Sequence, residues 1–200
     1  MSAPLRVSVF GSASAPDGEK LYEDARELGR LLGSAGCSVT TGGYGGTMAA
    51  VSRGASEAGA HVVGVTLAPW SRFELVANPW VKEELARPTL IARLERLVDA
   101  DAFIALHGGL GTLGEVTLVW QLAQAMEIPA SPLVLVGSRW RSLVDALREQ
   151  QVLRPGDEAL VTCVDGVSLA VDAVLAFDRP TAEAARRRVI AEMMRRGERG

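Results

Sequence analysis

Two hundred residues with 48% hydrophobic content and 21 glycines suit one α/β domain, read over residues 1–200, with room for a full core. A formal net charge of −3 argues against general nucleic-acid binding, and no apolar run is long enough to span a membrane. Only Cys37, Cys163, His61 and His107 offer soft ligands, and they lie far apart in sequence, so no metal centre is expected.

The chain passes from Pro4 straight into a strand-like run, Arg6 to Phe10, which leaves no room for a signal peptide. With both thiols in apolar runs, a reducing cytoplasm is the expected location. The first strand ends at Gly11-Ser12-Ala13-Ser14, and a helix follows over about Glu19 to Ser34 with Leu21, Ala25, Leu28, Leu31 and Leu32 on one face. Gly36 stops it. Cys37 to Thr41 is the second strand, ending in Thr41-Gly42-Gly43-Tyr44-Gly45-Gly46-Thr47-Met48. The next helix runs to about Ala58, and His61 to Leu67 is the third strand, with His61 a satisfied edge histidine. Ala68 to Trp80 breaks the pattern with Trp70, Phe73, Trp80 and two prolines. It is either a lid or specificity loop whose aromatics stack on a base, or a packed surface loop.

Pro88 to Ala100 reads as a helix with an apolar stripe of Leu90, Ile91, Leu94, Leu97 and Val98; Arg93 flanks the stripe and Arg96 points further toward solvent. The fourth strand, Ala102 to Leu106, leads into His107-Gly108-Gly109-Leu110-Gly111-Thr112-Leu113-Gly114-Glu115 and then a helix over Val116 to Met126, with Trp120 either in the core or at a subunit interface. Strand Leu133 to Val136, a helix from about Arg139 to Glu149, strand Ala159 to Val164 and a helix around Ser168 to Leu175 complete the alternation. Residues 180–200 form an arginine-rich helix or tail in which Arg186-Arg187-Arg188 and Arg195-Arg196 read as a solvated face.

Strand, glycine turn and helix together aim unsatisfied N–H groups and a positive helix end at an anion. Gly109-x-Gly111-x-x-Gly114 matches a dinucleotide fingerprint, but the acidic residue expected about 20 positions on is missing, so NAD is not read and no cofactor is expected. A capping box with Thr112 as N-cap and Glu115 as its partner accounts for those two residues, but not for three glycines in positions 108–111. The βαβα alternation predicts a doubly wound parallel sheet with helices on both faces, strand order 3-2-1-4-5. The loops after strands one, two and four then line one crevice. They carry Gly11 and Ser12; Gly42, Gly43, Gly45, Gly46 and Thr47; and Gly108, Gly109, Leu110, Gly111 and Thr112, together a phosphate or nucleotide site.

His107 to Glu115 resembles P-G-G-x-G-T-x-x-E, the hallmark of the LOG family, often mislabelled as lysine decarboxylases. Gly11-Ser12, the loop Thr41 to Met48 and the strand Asp101 to Leu106 extend the likeness over roughly Val7 to Gly137. The resemblance implies a Rossmann-like homodimer that hydrolyses the N-glycosidic bond of AMP or cytokinin riboside 5′-monophosphates, giving free base and ribose 5-phosphate. It places the catalytic glutamate at Glu115. The family's assisting arginine falls on Ala92 and the neighbouring lysine on Arg93, so Arg93 is the candidate replacement; the hallmark proline has become His107. In that reading a 5′-phosphate binds N–H groups at Gly109 to Thr112 with help from the Thr112 hydroxyl, and Glu115 stabilises an oxocarbenium-like state or orients water. The alternative is a non-catalytic nucleotide or molybdenum-cofactor carrier of the same superfamily. A decarboxylase is disfavoured, since Lys20 and Lys82 both sit in charged surroundings.

Overall fold

The computed structural model describes residues 3–68, 70 and 75–196, with side chains through 188. Phe73 and the side chains of Arg195 and Arg196 lie outside the described residues.

Seven parallel strands form one sheet. In chain order the elements are β1 (Arg6–Phe10), α1 (Lys20–Ser34), β2 (Ser38–Thr41), α2 (Thr47–Glu57), β3 (Val62–Gly64), β4 (Glu83–Glu84), α3 (Leu90–Leu97), β5 (Ala102–Ala105), α4 (Leu110–Gln124), β6 (Leu133–Val136), α5 (Ser138–Glu149), β7 (Thr162–Val164), α6 (Val167–Leu175) and α7 (Arg179–Arg196). The spatial order is β4-β3-β2-β1-β5-β6-β7. Its centre is the order expected from the sequence. β1 pairs with both β2 and β5 (Val7 opposite Val39 and Ala102), and there the connections switch direction.

The period-two alternation of each strand divides the core between two faces. Val7, Val9 and Ile104 pack with Leu28 and Leu32 of α1, Val51 of α2 and Val171 of α6. Phe10, Phe103 and Ala105 face the other way, against Leu97 of α3, Val119 and Trp120 of α4, and Trp140 of α5. Phe10 and Phe103 stack across neighbouring strands with ring centroids 6.1 Å apart. Full burial of a side chain such as Leu28 or Leu97 contributes roughly 2 kcal/mol, which is why these apolar positions dictate the two faces. Trp120 is thereby a core residue, and its indole N–H donates to the Asp157 carbonyl at 2.9 Å.

Several expected elements are displaced. The third strand is only Val62–Gly64, and the chain returns after the aromatic loop to add β4 at the edge, an element of two residues that leaves no periodicity to detect. The run Ala159 to Val164 divides into a 3₁₀ turn, Asp157–Leu160, and β7. In α3 the stripe is rotated: Leu90 and Ile91 are exposed (53% and 65%), whereas Arg93 is buried. Arg186 is not solvated, because its guanidinium donates to the carbonyls of Ala123 and Ile128, joining α7 to the C-terminal end of α4. His61 is satisfied, its Nε2 2.9 Å from a Glu83 oxygen, but β3, which it precedes, is covered by β4 and is not the edge strand. Cys37 is buried, Cys163 half-buried, and both are free thiols. Among the described residues no helix is long and apolar enough to cross a membrane.

Candidate functional site

The loops after β1, β2 and β5 meet at the C-terminal edge of the sheet, and two threonines bind them together. The Thr47 N–H and hydroxyl both donate to the Ser12 carbonyl, at 2.8 and 3.0 Å. The Thr112 hydroxyl donates to the preceding carbonyl, Gly11, at 2.9 Å. This packing explains part of the glycine content. A Cβ on Gly11 would lie 2.3 Å from the Thr47 hydroxyl, and one on Gly108 would lie 2.1 Å from the Thr112 hydroxyl. Gly46 has φ +64°, and a Cβ there would meet the Ser12 carbonyl at 2.3 Å. A Cβ on Gly42 would strike the Arg93 guanidinium at 2.2 Å, and one on Gly43 the Thr66 side chain at 2.8 Å. Gly109, Gly111 and Gly114 instead face open space, and Gly45 is nearly as open. The glycines therefore fall into two sets, one where a neighbouring group leaves no room for a side chain and one facing open space. The Ser12 hydroxyl accepts the Ser14 N–H at 3.1 Å and shapes the first loop.

The capping-box arrangement does not occur. Helix α4 starts at Leu110, its N-cap is Gly109, and no side chain caps it. Thr112 is the third helical residue, with its hydroxyl turned to the neighbouring loop, and Glu115 lies a further three residues along. The N–H groups of Leu110, Gly111 and Thr112 have no acceptor four residues back within the helix, so they and the positive helix end face the crevice. Leu110 is 85% exposed. Helix α2 also begins from a glycine, Gly46, with no side-chain cap.

Glu115 turns toward α3. Thr89 caps that helix, its hydroxyl accepting the Ala92 N–H at 3.2 Å, which sets Arg93 on the inner face. The Arg93 Nε donates to the Val65 carbonyl at 2.8 Å and Nη2 donates to the Gly42 carbonyl at 3.3 Å. Nη1 lies 3.5 Å from Glu115 Oε1, with both side chains about nine-tenths buried. Burial pushes the Glu115 carboxyl up to about 7, against the opposing pull of the Arg93 charge. Near neutral pH this carboxyl is divided between proton donor and anion, beside a fixed cation. Ala92, where the resemblance puts the family arginine, has no side chain to reach the site, and Arg93 supplies the guanidinium.

His107 lies at the end of β5 and accepts a 2.6 Å hydrogen bond from Arg139 at the start of α5. Burial, and then the Arg139 charge, hold its pKa below the ordinary histidine value. The imidazole is thus a neutral acceptor. Tyr44 is buried, with the Arg93 guanidinium 5.9 Å from its ring centroid and the half-exposed Trp70 ring at 5.4 Å. Sequence reasoning did not find these contacts, nor Asn78, whose side-chain amide donates to the carbonyls of Gly43 and Tyr44. The signals were a lone aromatic inside a glycine loop and an Asn just before Pro79.

The family model described as possible lysine decarboxylase matches residues 48–174. The chain is 35% identical to the cytokinin riboside 5′-monophosphate phosphoribohydrolase LOG of Oryza sativa subsp. japonica, over 60% of this chain and 50% of that protein. It is 34% identical to the enzyme of the same name from Mycobacterium tuberculosis, over 57% of this chain and 61% of that one. The chain thus spans about half to three-fifths of the length of these curated relatives. Among solved structures, the molybdenum cofactor carrier protein of Chlamydomonas reinhardtii superposes with a TM-score of 0.68 at 24% identity, covering 88% of this chain and 100% of that one, a likeness of fold.

Proposed function

Since the chain belongs to the LOG family, whose model carries the description possible lysine decarboxylase, we propose that it hydrolyses the N-glycosidic bond of a nucleoside 5′-monophosphate such as AMP or a cytokinin riboside monophosphate. The observation that carries this reading is the buried Arg93–Glu115 pair, placed just past the uncapped start of α4. The 5′-phosphate sits on the N–H groups of Gly109, Leu110, Gly111 and Thr112. Thr112 contributes its N–H, because its hydroxyl is committed to Gly11. The C1′–N bond breaks with its electron pair going to the base, which takes a proton from solvent, and water oxygen bonds to C1′ while losing a proton. The Glu115 carboxylate stabilises the cationic sugar and takes that proton; Arg93 holds the carboxylate in place. A carboxyl that titrates near 7 suits this exchange.

A lysine decarboxylase fits the site poorly. The Lys20 side chain is 86% exposed, and Lys82 donates to the Ala60 carbonyl, which precedes β3 at the opposite edge of the sheet. Ala92 favours a second reading, a nucleotide or molybdenum-cofactor carrier that binds without turnover. We also read the protein as one domain over 1–200 and as a cytoplasmic homodimer, with the exposed Leu90 and Ile91 of α3 as the contact surface instead of the α4 face that carries Val116, Val119 and Trp120, which is core. Sedimentation of wild type and Ile91→Asp tests the dimer.

The deciding experiment measures free-base release from AMP and from isopentenyladenosine monophosphate with wild type and Glu115→Ala. Release by wild type alone supports hydrolysis. An inert wild type whose melting temperature rises with either nucleotide replaces hydrolysis with the carrier reading. Neither release nor a shift removes both ligands.

A further inference from the structure

Arg93 is buried, yet its carboxylate partner is a distant one at 3.5 Å, so the ion pair alone does not fix the guanidinium. Four contacts do so together. The Val65 and Gly42 carbonyls take Nε and Nη2 in the plane of the group, Glu115 faces Nη1, and the Tyr44 ring lies 5.9 Å from the central carbon. The two carbonyls lie one residue past the ends of neighbouring parallel strands, β3 and β2. The aromatic ring adds an attraction between the cation and its negative π face.

We infer that Tyr44 is the positioning residue of this site, with its ring holding Arg93 toward Glu115 and its hydroxyl holding the loop that leads to Trp70. The second half rests on a separate contact. The Tyr44 oxygen accepts the Leu67 N–H at 2.7 Å, just where the chain leaves β3 for the aromatic loop, and the Trp70 ring lies 5.4 Å from the Tyr44 ring at 35°. Asn78 closes the same loop from its far end by donating to the Gly43 and Tyr44 carbonyls. One side chain therefore joins the acid–base pair to the wall of the crevice, and its two ends are separable by mutation. The inference takes Arg93 and Glu115 as the reacting pair from the reading above, but its test does not need turnover.

The ring is tested through the Glu115 titration, followed by the side-chain carboxyl ¹³C resonance that disappears in Glu115→Gln. Arg93 is the charged group that the structure places against this carboxyl and the one that opposes its upward shift. Tyr44→Leu is expected to raise the Glu115 midpoint by about 0.5 pH unit, the size of a partly buried cation–π contact. Tyr44→Phe keeps the face and leaves the midpoint in place. Should Tyr44→Leu fail to fold, pentafluorophenylalanine at position 44 has nearly the shape of Phe with the face charge reversed, and gives the same upward shift.

The hydroxyl is tested with AMP: Tyr44→Phe weakens binding several-fold, read as a smaller rise in melting temperature, with the Glu115 midpoint unmoved. A folded Tyr44→Leu or fluorinated variant with an unchanged Glu115 midpoint overturns the role of the ring. A Tyr44→Phe variant that binds AMP like wild type overturns the role of the hydroxyl. A wild type that titrates as described and releases no base overturns the hydrolase reading and leaves the positioning role standing.

Discussion

The hydroxyl of Thr112 donates to the carbonyl of Gly11 across 101 residues of sequence, joining the start of α4 to the end of β1 at 2.9 Å. Thr47 makes the matching bond to the next carbonyl, Ser12. The three loops are thus joined by bonds between them, and α4 is held from its side, leaving its N-terminal end uncapped.

Thr112→Val tests this directly. Valine fills the same volume and leaves the Gly11 carbonyl without its donor. A loss of roughly 1–2 kcal/mol in denaturant unfolding is expected, together with weaker binding of AMP, because the N-terminus of α4 is no longer held against β1.

The glycines divide in the same way. Gly108→Ala puts a methyl 2.1 Å from the Thr112 hydroxyl and 3.0 Å from the Gly11 carbonyl carbon, so unfolding experiments should show a clear loss of stability. Gly109 has ordinary extended angles and open space around it. Gly109→Ala should therefore fold as wild type while reducing phosphate binding by crowding the crevice. Equal damage to stability by both substitutions contradicts the division.

Glu115 carries a pH dependence whose sign is fixed by its raised pKa. An unfolded carboxyl titrates near 4.5 and the folded one near 7, so between these values the folded state holds more protons. The contribution of Glu115 to stability is full below about pH 4.5, falls as pH rises through 7, and is level above that. The difference is about 2.5 pH units, roughly 3 kcal/mol. Relative to Glu115→Gln, wild type should lose that stability between pH 4.5 and pH 7 in parallel urea titrations. The Gln variant should also release no base at any pH.

Arg93→Met removes the cation while keeping much of the bulk. It leaves the Val65 and Gly42 carbonyls without their guanidinium donors and Glu115 without its counter-ion. A cost of about 3 kcal/mol is expected, with the Glu115 midpoint moving higher and base release lost. Arg93→Lys should restore part of the charge effect but none of the forked geometry, so it recovers stability better than activity.

The doubly wound order was legible in the sequence because the central strands are short runs rich in apolar and β-branched residues, four of the five ending at or next to a glycine, and helical runs with apolar positions alternate with them. Topology then placed Gly11, Gly42 and Gly108 on one edge. Three features were not legible, each for a physical reason. Gly109 to Gly114 contains too many poor helix formers to read as helix, yet α4 begins at Leu110 because the Thr112 clasp and the buried Val116 and Val119 hold it there. Arg93 was legible as a flank of the stripe and as the stand-in for the family arginine, but its burial was not, since an apolar stripe is the default inner face; the partners that draw it inward are the Val65 and Gly42 carbonyls just past β3 and β2, and Glu115 of α4. Tyr44 resembles any loop aromatic until Leu67, Trp70 and Arg93 are brought around it.

The outer strand β4 has a consequence for life in concentrated solution. An open sheet ends in unpaired backbone groups that invite another chain to continue it. Here the last strand is two residues long, and both are glutamates, exposed and engaged sideways, Glu83 with His61 and Glu84 with Thr66. A neighbouring molecule that approaches this margin meets paired negative charges on its outermost strand, which oppose edge-to-edge aggregation.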